Sequence, residues 1–317
     1  MNTNNNVYTI VYTTLIVVVV AAILAFVSQG LKDKQLANEK ADTISQMMKA
    51  DGLGSRADFE ALGNENVLNK YAEEITEVLL VNTEGAQTGS LSVDRNALEV
   101  FSPSMLKAIW KNAKSAMREG KTPEIDNLPV FRFKNGYTVI PVYGDGLWGP
   151  VWGYISLDQD LRTIRGAYFD HESETAGLGA QIKDNAEFQK TFEGKIVNFE
   201  DEKAFAIVKG GVSTLPADKP VDNKIDAIAG ATMTSNGLQD AINAWLGLYK
   251  AFLTGSACES VRNECHCGAC PCGEACECDC HCPEKTEPGC NCPDCNCAAC
   301  DGNHKDECQM HEGCENN

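Results

Sequence analysis

The chain has 317 residues, a formal net charge of −18 and 16 cysteines. That length suffices for one or two domains with a real core, and the acidic balance excludes nucleic acid as a natural partner, because phosphate binding needs clustered lysine and arginine. Every cysteine lies at or beyond Cys258, where 13 acidic residues face 3 basic ones, so this tail carries −10 of the −18. The preceding chain is free of cysteine, and its fold depends on no disulfide.

Val7 to Val27 is apolar and uncharged, and no charged side chain precedes Lys32. About 20 apolar residues cross a hydrocarbon core of about 30 Å, so residues 7–28 are expected to form one transmembrane helix. A cleaved signal peptide would show basic residues ahead of a shorter apolar run, and Met1 to Asn6 has none. Lys32 and Lys34 weakly favour a cytoplasmic C-terminal side, but large following domains translocate regardless of such charges, and the sidedness stays open.

Residues 32–254 read as a stalk and one mixed domain. Lys32 to Lys49 is a polar, helix-prone stalk ended by Gly52 and Gly54. Ser102-Pro103 starts a helix, with proline at its first position, and Leu106, Ile109, Trp110 and Ala113 follow at helical spacing. Tyr137 to Tyr143 and Val151 to Leu157 read as strands around a Gly144-Asp145-Gly146 turn. Lys195 to Phe199 and Ala204 to Val208 read as two more strands. Leu238, Ala241, Ile242, Trp245, Tyr249 and Phe252 mark a final amphipathic helix. Helices and antiparallel hairpins in this order predict an α+β domain rather than a doubly wound sheet. No Gly-x-Gly-x-x-Gly loop follows a strand, so an NADH site on this chain is not expected.

The segment Asp226-Ala-Ile-Ala-Gly-Ala-Thr232-Met-Thr-Ser-Asn-Gly237 is a small-residue loop opening onto the final helix. Gly230 and Ala231 leave the Thr232 hydroxyl accessible, and Thr234, Ser235 or Asn236 are candidate caps. A helix N-terminus offers free N–H groups and positive potential that suit a phosphate. An ordinary capped loop is the competing reading of the same residues.

This stretch also resembles the Ser-Gly-Ala-Thr attachment motif of the covalent FMN-binding subunits of bacterial ion-pumping respiratory complexes. It is most similar to the motif of the C-subunit family of the Na+-translocating NADH:quinone reductase. Three further segments are similar to that family in the same order: Gly146-Leu-Trp148-Gly149, His171-Glu-Ser-Glu174-Thr175-Ala-Gly-Leu178-Gly179, and Val208-Lys209-Gly-Gly211. Ala229 replaces the usual serine of the attachment motif, and Ala176 a proline. The resemblance implies FMN bound covalently through its phosphate to Thr232 by a dedicated flavin transferase, with Asp226 as an upstream acid that helps the transfer. It implies flavin contacts from Trp148, Glu174, Thr175, Leu178, Gly179, Lys209, Gly230 and Ala231. Read alone, Trp148 is equally a core aromatic, Glu174 and Thr175 are turn residues, Lys209 is a surface charge and His171 is structural.

The resemblance further implies a single-pass subunit of a six-subunit inner-membrane complex whose other members include membrane, flavin and iron–sulfur subunits. That complex oxidises NADH, reduces quinone and exports Na+, and the flavin domain would face the periplasm. The equivalent flavin subunit of an Rnf-type ferredoxin:NAD+ reductase shares the attachment motif and is the nearest alternative. A membrane-anchored metal-binding protein is a second one.

The tail, residues 255–317, lies outside that family pattern and is expected to be irregular, having almost no large apolar residue. Cys265, Cys267, Cys270, Cys272, Cys276, Cys278, Cys280 and Cys282 form one cluster, and Cys290, Cys292, Cys295, Cys297 and Cys300 a second. Alternating Cys-x-Cys spacing places many thiolates around shared ions, as in metallothioneins, and soft thiolates suit Zn2+ or Cu(I). In an oxidising compartment the same cysteines can pair as disulfides, and the spacings match no single iron–sulfur pattern.

Overall fold

The computed structural model describes residues 6–95, 97–217 and 219–255. The tail cysteines therefore lie outside the described residues. The chain opens on one continuous helix, α1 (Asn6–Ala50). Its first part is apolar all round and exposed, and by length and composition it can cross a membrane. From Ala41 onward the same helix is core: Ala41, Ile44, Met47, Met48 and Ala50 are buried, together with Thr43, Ser45 and Gln46. The free stalk is thus shorter than the sequence pattern predicts. At about 1.5 Å per residue, residues 29–40 span about 18 Å between the segment expected to cross the membrane and the domain.

Two short helices, α2 (Arg56–Leu62) and α3 (Asn64–Glu74), lead into strands β1 (Ile75–Val81) and β2 (Gln87–Leu91). Helix α4 (Pro103–Arg118) follows, starting at the predicted Ser102-Pro103 and burying Leu106, Ile109 and Ala113. Then come β3 (Leu128–Phe133), β4 (Thr138–Asp145), β5 (Pro150–Leu157) and β6 (Ile164–His171). These six strands form one antiparallel sheet in the order β2-β1-β3-β4-β5-β6. Two short helices, α5 (Gln181–Asp184) and α6 (Ala186–Lys190), precede β7 (Ala206–Val208) and β8 (Lys224–Asp226), and α7 (Thr232–Leu253) ends the domain. The architecture is the predicted α+β class, behind an apolar N-terminal helix.

Side chains of alternating parity along β5 show which layer covers each face of the sheet. Trp152 Nε1 donates to Gln46 Oε1 at 3.0 Å and Ser156 Oγ to Asp51 Oδ1 at 2.8 Å, so α1 lies on that face. Asp145, at the end of β4 and paired with Pro150, meets Lys114 and Trp110 of α4. Gly144, paired with Val151, faces the other way, and the methyl of Ala241 fills the place its Cβ would take. Helix α7 therefore covers the opposite face, burying the predicted Leu238, Ala241, Ile242, Trp245 and Tyr249. Trp245 Nε1 donates to the Tyr143 carbonyl at 2.7 Å and the Tyr249 hydroxyl to the Pro129 carbonyl at 2.6 Å. Gly166 serves the α1 face, where a side chain would run into the Ala50 carbonyl.

One expected strand is absent and another is shorter than expected. Lys195 to Phe199 is not a strand; it makes one isolated bridge, Ile196 to Thr163. Its N–H groups go to separate segments, Ile196 to Asp222, Val197 to Arg162 and Asn198 to Ala204, so no ladder forms. The Ala204–Val208 segment contributes only β7, which pairs parallel with β8 rather than in a hairpin. Side chains of α7 complete that strand: Gln239 accepts from the Ile207 N–H at 2.9 Å and Asn243 from the Phe205 N–H at 3.1 Å.

Asp51 ends the docked part of α1. Its carboxylate is buried and accepts from Ser156 and, at 2.6 Å, from Asn135 Nδ2. Burial pushes this carboxyl from 3.8 up to about 6, outweighing those two bonds, with Glu74 adding to the rise. The folded state thus favours the protonated acid, so this group's contribution is full below 3.8 and is lost as pH rises through about 6. Asp51→Asn keeps both bonds by turning its amide nitrogen toward Ser156. Chemical denaturation should find the variant more stable than the parent by ~1–3 kcal/mol at pH 8, with the difference shrinking toward pH 4. A constant difference across that range would contradict the assignment.

Candidate functional site

Three connections meet where β4 and β6 of the six-stranded sheet and β8 of the two-stranded sheet finish. The β4–β5 turn carries Gly146-Leu147-Trp148-Gly149, closed by a Gly146 N–H bond to the Gly149 carbonyl at 2.8 Å. The loop after β6 carries Glu174 to Ala180, coiled by Leu178 and Ala180 N–H bonds to the Thr175 carbonyl. The third connection runs from β8 through Gly230 into α7.

Glu174 joins all three. It is buried, and its Oε1 accepts from the Trp148 N–H at 2.8 Å while Oε2 accepts from the Thr234 hydroxyl at 2.6 Å. Its own N–H donates to His171 Nδ1 at 3.2 Å. A carboxylate out of water must be bonded, and here each oxygen is bonded to a different connection. Glycines make room for it: a Cβ on Gly146 would stand 2.5 Å from Oε1, and one on Gly179 would stand 2.5 Å from the Thr234 hydroxyl. Gly237, one turn along α7, lets the helix press onto the Asp145 carbonyl.

Thr232 is the first residue of α7 and is half-buried. The helix therefore begins at Thr232 itself. Ala231 is the N-cap and makes no side-chain cap bond. Of the residues expected to cap, Thr234 turns to Glu174, Ser235 Oγ accepts from the Ile228 N–H at 3.2 Å, and Asn236 is exposed. The first-turn N–H groups of an α-helix lack intrahelical acceptors, which leaves this end receptive to an anion. Gly230 holds φ of +77°, a conformation that favours glycine. A Cβ there would come within 3.1 Å of Leu178 Cδ2, so the post-β6 loop lies directly against the turn that precedes Thr232.

Four large apolar side chains stand exposed on these connections: Leu147 (50%), Trp148 (67%), Leu178 (44%) and Met233 (61%). Trp148 is therefore not a core aromatic. Thr175 is exposed, whereas Gly179 and Ala231 are buried beneath the rim. Lys209 is exposed on the turn after β7. Beside it, Asp226 Oδ1 accepts from the Val212 N–H at 2.7 Å and the Ala227 N–H reaches the Val208 carbonyl at 3.0 Å, tying the Lys209 turn to the strand that feeds Thr232. Sequence reasoning missed Leu147, Met233 and the Glu174–Thr234 bond. The available signal was Gly237, a glycine inside a helix and one turn from Thr234, which marks a close approach on that face.

Thr234→Val keeps the side-chain shape and removes the donor to the buried carboxylate. We expect a stability loss of about 1.5–3 kcal/mol, the worth of a hydrogen bond to a charged group, in denaturant titrations of the full chain. A loss of a few tenths would show that Glu174 does not depend on this bond.

Residues 146–247 match the FMN-binding domain family. The Na(+)-translocating NADH-quinone reductase C subunit of Chlamydia trachomatis is 38% identical over 220 residues, covering 63% of this chain and 68% of that protein. The protein of the same name from Vibrio parahaemolyticus is 30% identical over 243 residues, covering 72% and 86%. The crystal structure of the corresponding protein from Parabacteroides distasonis is 31% identical and superposes with a TM-score of 0.54, over 71% of this chain and 97% of that one. Sequence identity over two thirds or more of these relatives, together with a flavin-domain match across the connections joined by Glu174, shows that the chain belongs to the C-subunit family of the Na(+)-translocating NADH-quinone reductase.

Proposed function

We propose that this chain is the electron-transfer subunit that carries FMN, covalently through Thr232, in a membrane-bound Na+-translocating NADH:quinone reductase. The observation that carries the reading is Thr232 at the first turn of α7, beside exposed Leu147, Trp148, Leu178 and Met233. That site fits a flavin phosphate ester. The Thr232 hydroxyl supplies the ester oxygen, the free first-turn N–H groups receive the phosphate, and Lys209 adds positive charge on the adjoining turn. The apolar rim offers packing surface to an aromatic ring system. Bound FMN supplies one- and two-electron transfer, while the protein supplies tethering, orientation and electrostatic tuning. Within the protein, Glu174 fixes the three connections, Gly179 and Gly230 allow their close approach, and Ala231 and Thr175 complete the attachment turn and its neighbour.

We further infer three units: residues 7–28 in the membrane, 32–254 as stalk and flavin domain, and 255–317 as a separate tail. The family resemblance supports insertion in the inner membrane with the flavin domain on the periplasmic side, maturation by a flavin transferase, and association with the other subunits of a six-subunit complex. The cysteine spacing supports Zn2+ or Cu(I) on the tail clusters, apart from the electron path.

The attachment is tested on a denaturing gel of the full chain made with the flavin transferase present. Flavin fluorescence is expected in the protein band and should vanish in Thr232→Ala; a dark parent band, or a bright variant band, would contradict the assignment. Sidedness is read from a C-terminal reporter active in one compartment only, with periplasmic activity expected. The tail is tested by ending the chain after Thr254: flavin content and electron transfer should persist while bound metal, measured by elemental analysis, is lost.

A further inference from the structure

The buried carboxylate beneath the flavin rim does not stand alone. Glu174 takes its backbone position from His171, whose Nδ1 accepts the Glu174 N–H at 3.2 Å. An accepting Nδ1 places the ring proton of a neutral imidazole on Nε2. The His171 N–H in turn donates to Asp170 Oδ1 at 2.7 Å. Asp170 is buried, and its other oxygen, Oδ2, accepts from Gln46 Nε2 at 3.1 Å and meets Lys183 Nζ at 2.8 Å. Gln46 belongs to α1. The same Nε2 donates to Asp42 Oδ2 at 2.9 Å, and its Oε1 accepts from Trp152 Nε1 at 3.0 Å.

An unbroken set of hydrogen bonds therefore runs from the docked segment of the membrane helix, through the end of β6, to the first turn of the flavin-bearing helix: Gln46, Asp170, His171, Glu174, Thr234. Gln46, Asp170, Glu174 and Thr234 are all buried, where bonds are strong and a missing partner is costly. His171 is the link at which backbone and side chain both take part. Its N–H is held from the α1 side, and its ring holds the loop that carries Glu174.

We propose that His171 is a positioning residue through which the seat of α1 sets the geometry of the flavin site, so that a change at Gln46 alters the flavin's redox balance without touching the flavin. This rests on the assignment of FMN to Thr232. His171 bonds neither Thr232 nor any residue of the exposed rim; it acts by fixing where the Glu174 N–H and carboxylate lie. Those in turn fix the Trp148 backbone and the first turn of α7.

The test uses the full chain carrying its flavin, with the parent, His171→Ala, His171→Asn and Gln46→Met compared. Asparagine can present an acceptor oxygen near the position of Nδ1, whereas alanine cannot. The readouts are the oxidised-to-reduced flavin ratio at a fixed potential and the visible circular dichroism of the bound flavin. We expect His171→Ala to shift the ratio by about threefold or more, a bond-sized effect, and to change the dichroism. His171→Asn should restore both, and Gln46→Met should shift the ratio in the same direction as His171→Ala. Parent values in both His171→Ala and His171→Asn would overturn the positioning role, and parent values in Gln46→Met would overturn the link to α1. Should His171→Ala not fold, His171→Asn and Gln46→Met decide together: a parent-like asparagine variant with a shifted methionine variant supports the link, and two unshifted variants overturn it. A parent band without flavin fluorescence identifies failure of the Thr232 assignment itself, separately from failure of the link.

Discussion

The end of the sheet is organised by one constraint, that a buried carboxylate must be bonded through both of its oxygens. Glu174 meets it by taking a backbone N–H from the β4–β5 turn and a hydroxyl from the first turn of α7. Neither donor belongs to its own loop, so satisfying the charge fixes three chain segments against one another. The surrounding glycines follow from this, since Gly146 and Gly179 stand where any side chain would collide with the carboxylate or its donor. The exposed apolar rim is held in place from beneath, by polar bonds, rather than by its own packing.

The α1 face of the sheet repeats the device. Asp51, Asp170 and Gln46 are buried and bonded to Ser156, Asn135, Lys183 and Trp152. Apolar packing alone would let a helix slide along a sheet at little cost, because it is not directional. Buried polar bonds penalise any register but one. For a domain carried on a long apolar helix this matters: the rigid connection begins at Ala41, and residues 29–40 supply about 18 Å of helix before the bonds that do not slip.

How much of this was legible in the sequence depends on whether apolar periodicity or polar partnership does the work. The face of α7 was readable because Leu238, Ala241, Ile242, Trp245 and Tyr249 recur at helical spacing and pack on the sheet. Its true start was not, because Thr232 to Gly237 is polar or small apart from Met233 and carries no periodic apolar signal. The docking of α1 was hidden for the same reason, since Thr43, Ser45 and Gln46 look like stalk residues, and only the tertiary fold shows them buried, with Gln46 bonded to Asp170 and Trp152. Lys195 to Phe199 has strand composition, yet its N–H groups find three separate acceptors. At the site, family motifs pointed to Trp148, Glu174 and Thr232 individually. That Glu174 joins the other two segments is a tertiary fact, and no local pattern encodes it.

The shape of the site bears on why a tether suits it. Leu147, Trp148, Leu178 and Met233 stand on the surface with roughly half or more of their area open, so they form a rim and not an enclosing cavity. Small ligands held without covalent bonds commonly bury most of their surface in a concave pocket, and association must also offset the lost freedom of the ligand. A shallow rim offers less of the first and still faces the second. The proposed ester at Thr232 would make docking intramolecular, so that even weak packing on the rim would keep the ring system in place. The open rim leaves that ring system reachable by a carrier in a neighbouring subunit, which a deep pocket would prevent. Accessibility and retention make opposite demands on a binding site, and the proposed covalent attachment at a rigid helix start would satisfy both.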